Sequence, residues 1–189
     1  SGLSLVAELS VWVNNKRIEK RTGSMLWTHF GISGPVAMDI SGNWIRHEFQ
    51  GDSPKLQVNL LGSESFEQTE KWLLDSTAEN HAKSIGRLVG ERIPKPLVSA
   101  LAEYLSLEPS QSLGTLSKET RRQWVRGLIE LCLPVHEHRG WNHAEVTSGG
   151  VPLNEIKPKT FESKLQPNLF LVGEILDCDG RIGGFNFQW

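Results

Sequence analysis

Cysteine is scarce in this sequence, and its two cysteines are far apart. Cys132 and Cys178 do not form the close pair of a zinc knuckle, and the histidines show no convincing ligand spacing. Apolar runs are short: none approaches the roughly 20 residues that span a membrane, and no signal peptide is visible. These absences predict reduced thiols, no metal, no membrane partner and a cytoplasmic protein. Because the chain begins Ser1-Gly2-Leu3 without Met, we expect the natural start to lie upstream.

An excess of charge of one sign is also absent. Lys and Arg number 20 and Asp and Glu number 22, which gives a net charge of -2. Domains that bind nucleic acid usually carry a basic excess, so RNA or DNA is not the expected partner. The hydrophobic fraction of 38% in 189 residues fits a globular protein of one ordinary domain or two small ones.

The first 62 residues are predicted to be rich in β-strand. Apolar side chains occupy every odd position from residue 3 to residue 13, which is the period of a half-buried strand. Asn14-Asn15 suits a tight turn into a return strand, and residues 56–60 alternate again. Residues 38–49 are predicted to be extended, with Gly42-Asn43 as a break. A small barrel or sandwich would close such a segment.

Residues 63–132 are predicted to form an inserted subdomain of four short helices. Ser65 and Gln68 have the spacing of a capping box, and Glu67 and Lys71 form an i,i+4 pair. A short helix follows at residues 85–89, a third begins at Pro94, and Ser117 can cap the fourth. The apolar side chains in these stretches recur at helical spacing and indicate packing rather than chemistry.

The final third is predicted to return to extended structure. Residues 143–146 are predicted to form a strand of the β-layer. Residues 169–172 form a continuous apolar run that ends at Gly173, as a strand buried on both faces does. Such strands belong to parallel sheets, so this one predicts a further domain that supplies the rest of the sheet.

Three glycine-containing patches follow one another near the end of the chain. Glycine allows a sharp turn or the close approach of a flat or charged group. A buried strand that ends in Gly173-Glu174, with Asp177 beyond it, would bring carboxylates to the end of a parallel sheet, where ligands bind. A helix that starts near Gly184 would direct its positive end to the same place. The patches are Thr147-Ser148-Gly149-Gly150-Val151, Gly173-Glu174-Ile175-Leu176-Asp177 and Gly180-Arg181-Ile182-Gly183-Gly184-Phe185-Asn186-Phe187-Gln188.

With these patches the chain resembles the YhiN-type, BaiN-like family of FAD-dependent flavoproteins. The likeness also rests on two further patches and extends from about residue 23 to residue 189. Phe185 stands where the family usually has Tyr, and Cys178 where it usually has Val. The further patches are Thr28-His29-Phe30-Gly31-Ile32-Ser33-Gly34-Pro35 and Thr160-Phe161-Glu162-Ser163-Lys164.

The resemblance implies an α+β fold with three parts. Residues 1–62 and 133–157 would form a β-barrel-like insert domain, and residues 63–132 its helical subdomain. Residues 158–189 would be the C-terminal fragment of a Rossmann-like FAD-binding domain. The Gly-x-Gly-x-x-Gly dinucleotide fingerprint is absent here, so we expect it upstream, and we expect this segment alone to bind no FAD and to be inactive.

The same resemblance implies the residues of the cofactor site. Gly173, Glu174 and Asp177 would follow the ribityl and pyrophosphate side of FAD. Gly183, Gly184 and Asn186 would approach the isoalloxazine ring, where backbone N–H groups can stabilise negative charge. Thr147, Gly149 and Gly150 would form the crossover to the FAD domain. Gln188 completes the cofactor-binding set.

The implied activity is that of an NAD(P)H-linked reductase of an unsaturated small-molecule substrate. The sequence does not identify a catalytic residue, and His29 is the one candidate. His29 precedes a glycine-rich turn and is either a substrate-facing group or, as we favour, a residue that ties the turn to backbone. The alternative function is a module that binds nucleic acid or protein, for which Arg121, Arg122 and Arg126 on one helix are the best support.

Overall fold

The computed structural model describes residues 2–187, which divide into two compact units at Val135 and His136. The predicted domain boundaries stay predictions. In the first unit, the strands β1 (Leu3–Val13) and β2 (Lys16–Thr28) form a long hairpin. Asn14 and Asn15 make its turn with φ values of 50° and 63°, the left-handed conformation that Asn tolerates. The strand and turn predictions for this segment are confirmed.

Five antiparallel strands make up the sheet of the first unit. The others are β3 (Gly31–Ser33), β4 (Lys55–Asn59) and β5 (Leu131–Leu133), in the spatial order β3-β2-β1-β4-β5. The odd-numbered positions of β1 face the core, where Ala7, Leu9 and Val11 are fully buried. The even-numbered positions therefore face away from the core.

One helix stands where the sequence predicted extended chain. Residues 38–49 belong to α1 (Pro35–Phe49), so that prediction is wrong. Pro35 begins the helix after Gly34, and Val36, Ile40 and Trp44 recur at intervals of four as its buried stripe. The stripe packs on β1 and β2, and this burial outweighs the Gly42-Asn43 pair inside the helix.

Four helices lie between β4 and β5 where the sequence predicted them, while their grouping as an inserted subdomain stays a prediction. They are α2 (Phe66–Glu79), α3 (Ile85–Val89), α4 (Lys95–Leu105) and α5 (Lys118–Ile129). The Ser65 and Gln68 capping box forms on α2, and Ser117 caps α5. Lys71 pairs with Asp75 rather than with Glu67. The helices share one continuous hydrophobic core with the sheet, from Ala7 to Ile129.

The second unit holds little regular structure. Two strand predictions are wrong here: residues 143–146 lie in and after a single 3-10 turn, and residues 169–172 contribute one isolated bridge, between Phe170 and Glu162. Phe170 is 58% exposed and Val172 65% exposed, so the apolar run is not buried on both faces. No parallel sheet exists within residues 136–187 to bury it.

Among residues 2–187, no helix is both long and apolar enough to span a bilayer.

Candidate functional site

Two of the glycine patches meet in the second unit. The amide of Val151 donates to the carbonyl of Ile175 at 2.8 Å, and the amide of Asp177 donates to the carbonyl of Val151 at 2.9 Å. Val151 and Leu176 form a parallel bridge, and Leu176 is buried. We call residues 149–151 and 173–178 the glycine junction. It joins segments that lie more than twenty residues apart in the sequence.

Gly150 makes this approach possible. A Cβ on Gly150 would stand 2.4 Å from the carbonyl oxygen of Ile175 and 2.8 Å from the carbonyl carbon of Leu176. Both are backbone atoms, so no side-chain rotation could relieve the clash. The φ of 152° at Gly150 and of 102° at Gly149 also favour glycine. Position 150 therefore requires glycine, because the backbone there is in contact with the backbone of residues 175–177.

The third patch is closed by a contact between its own residues Asn186 and Gly180. Asn186 accepts a hydrogen bond from the Gly180 amide at 2.6 Å, and its side-chain amide donates to the Gly180 carbonyl at 3.1 Å. This double contact closes the loop that carries Gly183 and Gly184, whose φ values are 120° and 90°. Asn186 therefore has a structural role in this loop.

The carboxylates near the junction lie at the surface. Glu174 is exposed in the short 3-10 turn Gly173–Ile175, and Asp177 is exposed just after it. Ser148 donates to Asp179 at 3.4 Å. Burial raises the pKa of the Cys178 thiol, and the flanking charges of Asp179 and Asp177 raise it further. The raised pKa favours the protonated thiol of Cys178.

The Thr160–Lys164 patch forms a hydrogen-bonded scaffold of its own within the second unit. Ser163 is buried, and its hydroxyl accepts hydrogen bonds from the amides of Leu165 and Gln166 at 3.1 and 3.2 Å. The Glu162 carboxylate accepts from Lys157 at 2.7 Å and from the Asn168 amide at 3.1 Å. The Lys157 hydrogen bond, followed by that of Asn168, lowers the pKa of Glu162.

The structure places most of the sequence-predicted cofactor residues in the second unit. Gly149, Gly150, Gly173 and Asp177 come together at the glycine junction, and Glu174 lies at its surface. Thr147 is exposed just before it. Gly183, Gly184 and Asn186 belong to the closed loop that follows. Gln188 lies outside the described residues. Their roles toward a cofactor stay predictions.

His29 lies in the first unit, exposed in the turn between β2 and β3. Its ring contacts the Phe30 ring edge-on, with centroids 5.1 Å apart. Thr28 holds the turn instead: its hydroxyl donates to the Gly31 carbonyl at 2.9 Å and accepts from the Phe30 amide at 3.3 Å.

The arginines that favoured a nucleic-acid interface are tied to the fold. Arg121 and Arg122 bind one oxygen of Glu70 at 3.3 and 3.1 Å and so join α5 to α2. One carboxylate thus pairs with two of the three arginines, and the third, Arg126, is exposed. Within residues 2–187, no three His, Cys, Asp or Glu side chains are grouped to hold a metal ion.

A family model described as the HI0933-like protein barrel and H2TH domain matches residues 1–146. The chain belongs to this family. The resemblance drawn from the motifs is confirmed, and the β-rich first part with its helices agrees with a barrel and helical domain.

Relatives of this HI0933-like chain include proteins with two kinds of name. A protein of Escherichia coli (strain K12) called ribosomal RNA dihydrouridine synthase is 32% identical over 166 residues, which cover 88% of this chain and 39% of the relative. One of the same name from Haemophilus influenzae is 31% identical over 165 residues, covering 87% and 39%. A 3-dehydro-bile acid delta(4,6)-reductase of Clostridium scindens is 26% identical over 189 residues, covering 100% and 46%. The chain spans less than half the length of these relatives.

Some residues that organise this HI0933-like site were not predicted from the sequence. Gly180 is the backbone partner of Asn186, and a Cβ there would meet the Cβ of Phe185 at 2.9 Å. Asp179 accepts from Ser148, and Ser163 organises the scaffold loop. The signal for Gly180 and Asp179 was the third glycine patch, which begins at Gly180 and directly follows Asp179. Ser163 belongs to the Thr160–Lys164 patch of the resemblance, but a serine in a polar stretch does not predict a buried hydroxyl.

Proposed function

We propose that this chain is part of an FAD-dependent oxidoreductase that reduces a carbon–carbon double bond of an organic substrate, with NAD(P)H as electron donor. Family membership and the names of the relatives support this, since a dihydrouridine synthase and a delta(4,6)-reductase are both named for such a reduction. The observation that carries the proposal is the glycine junction, which joins two of the motifs on which the flavoprotein resemblance rests.

The glycine backbone fits the close approach of a flat group. At Gly149 and Gly184, no atom of the described chain lies within 4 Å of the place where a Cβ would stand, although both have positive φ. In the proposed site, Gly173, Glu174 and Asp177 follow the ribityl and pyrophosphate side of FAD. Gly183 and Gly184 approach the ring, and Asn186 holds their loop closed. Bound FAD supplies hydride transfer.

The rest of the FAD-binding domain is proposed to lie elsewhere in the complete protein. Residues 158–189 are then its Rossmann-like C-terminal fragment, and this segment alone is inactive. Supporting this, the chain has no Gly-x-Gly-x-x-Gly fingerprint and spans 39–46% of its relatives. The first unit, with its sheet and helices, forms a cap that shapes access to the flavin.

The substrate proposed first is a uridine base in RNA. The relatives named for ribosomal RNA are 32% and 31% identical to this chain, against 26% for the relative named for a bile acid. This differs from the sequence analysis, in which the net charge of -2 made RNA an unexpected partner. A steroid-like small molecule is the alternative, and the two are separated by assay of the complete protein on RNA and on a conjugated steroid ketone.

The test of the flavin site uses the complete protein and a matched pair of variants. Gly184 and Gly51 have φ values of 90° and 82°, and neither would bring a Cβ within 4 Å of a described atom. Alanine at either position adds about 1 kcal/mol of backbone strain. Gly184→Ala is expected to lower the bound flavin per protein, while Gly51→Ala leaves it unchanged. A wild-type protein that purifies without flavin would overturn the proposed function.

A further inference from the structure

The solvent face of the sheet carries a tryptophan between two cations. Trp12 lies on β1, opposite Arg17 of β2 and opposite Lys55 of β4. Residues that face each other across antiparallel strands share one face of the sheet, and this face points away from the core. We call Arg17, Trp12 and Lys55 the cationic row.

The indole of Trp12 lies along the sheet rather than in the core. Its Nε1 donates to the Ser10 hydroxyl at 2.9 Å, which holds the ring over its own strand. The Arg17 guanidinium lies 5.8 Å from the ring centroid. Trp12 is only partly buried, while its neighbours in sequence, Val11 and Val13, are buried in the core. Packing in the core therefore does not account for a tryptophan here.

The charge of the cationic row is not neutralised. Arg17 and Lys55 are exposed, and neither forms a salt bridge with any described residue. The carboxylate of Glu8, on the same face, is already bound by Lys20 at 2.9 Å and by Ser63 at 3.1 Å. A chain of net charge -2 thus has a locally positive surface around one aromatic ring.

We propose that the cationic row binds single-stranded RNA. An unpaired base stacks on an aromatic ring or a guanidinium plane, and lysine or arginine beside it binds the flanking phosphates. In the next row of the face, Ser10 is buried and holds the Trp12 ring, while the partly exposed Gln57 opposite it offers a side-chain amide to a base edge. A protein partner with an acidic surface would use the charges but not the stacking ring.

This inference rests on the proposed function, because a reductase of RNA bases needs a surface that holds the strand. The test measures binding of a fluorescent uridine-rich RNA oligonucleotide to the complete protein by anisotropy across a salt series. Trp12→Leu is expected to weaken binding about 5- to 100-fold, and Trp12→Phe to restore most of it, since the aromatic face returns. Arg17→Gln with Lys55→Gln is expected to reduce the salt slope by about 1.4, from two lost phosphate contacts.

The matched control is Lys95→Gln with Lys118→Gln, which removes the same charge from exposed positions on α4 and α5. An equal loss in this control, or unchanged binding in the row variants, overturns the proposal. Binding of a duplex as tight as that of the single strand also overturns it, because duplex bases are already stacked. If Trp12→Leu does not fold, the proposal is judged on RNA binding by the Arg17→Gln, Lys55→Gln double variant, whose positions are exposed.

Failure of this inference and failure of the proposed function are distinguishable. Salt-dependent RNA binding by a flavin-free protein would leave the cationic row intact and refute the flavin site. If the protein binds flavin but its RNA binding is unchanged in the cationic-row variants, the flavin site is supported and the cationic row is refuted.

Discussion

At the scale of single residues, Gly150 is the position where one added carbon should have the largest effect. Gly150→Ala places a Cβ against the carbonyl oxygen of Ile175 at 2.4 Å, so the two strands of the glycine junction must separate. We expect a loss of about 1–3 kcal/mol and fast hydrogen exchange at the amides of Val151 and Asp177. Gly149→Ala is the control, since its Cβ meets no described atom within 4 Å. Equal exchange in the two variants would contradict the prediction.

Glu162 is the residue whose ionisation should matter at low pH. Its pKa is lowered by the hydrogen bonds of Lys157 and the Asn168 amide, so the ionised form is favoured in the folded state. A lowered pKa gives stabilisation that is present above the usual value of 4.5 and is lost as the pH falls through the folded value. We expect protection of the Asn168 amide from exchange to decline below that pH. Glu162→Gln should remove this dependence, and a decline that persists in the variant would contradict it.

At the scale of elements, local signals predicted the caps and the hairpin but not α1. The Ser65 and Gln68 box and the Asn14-Asn15 turn depend on neighbours in sequence, so the sequence reveals them. The helix α1 has a buried stripe at intervals of four, but the Gly42-Asn43 pair inside it obscured that period in the sequence. The prediction of a buried strand at residues 169–172 was wrong because apolar side chains alone do not show which part of the protein would cover them.

The junction between α2 and α5 depends on one carboxylate. Glu70 binds Arg121 and Arg122, and its side chain is only 16% exposed. The Arg122 hydrogen bond is the main cause that lowers the pKa of Glu70. We expect Glu70→Gln to lower the stability by about 1 kcal/mol or less, as solvent still screens the pair. The effect should be largest near neutral pH and shrink below pH 4.5 as the carboxylate protonates.

The control for Glu70 is its neighbour in sequence. Lys71 pairs with Asp75, but the two side chains are 74% and 58% exposed, so Lys71→Gln should leave the melting temperature nearly unchanged. Thermal melts of the two variants across pH compare a partly buried pair with an exposed pair on one helix. A larger loss for Lys71→Gln would show that the α2–α5 junction does not depend on Glu70.

At the scale of the whole molecule, the site became visible through the order of its motifs rather than through local structure. Gly150 and Asp177 are far apart in sequence, and no periodicity predicts that their backbones are neighbours. The resemblance grouped them because the patches occur together. The buried Ser163 and the double contact of Asn186 could not be predicted, since each depends on a loop path that sequence patterns do not encode.

The two units should also differ in whether they fold on their own. The continuous core runs from Ala7 to Ile129, within the first unit, while the buried apolar side chains described for residues 136–186 are Ile156 and Leu176. We therefore expect residues 1–135, expressed alone, to unfold cooperatively and to melt within about 5 °C of the whole chain. Limited proteolysis of the whole chain should first cut in residues 136–145, which are mostly exposed, and leave this fragment. A fragment that is unfolded by circular dichroism would show that the first unit needs the second for its stability.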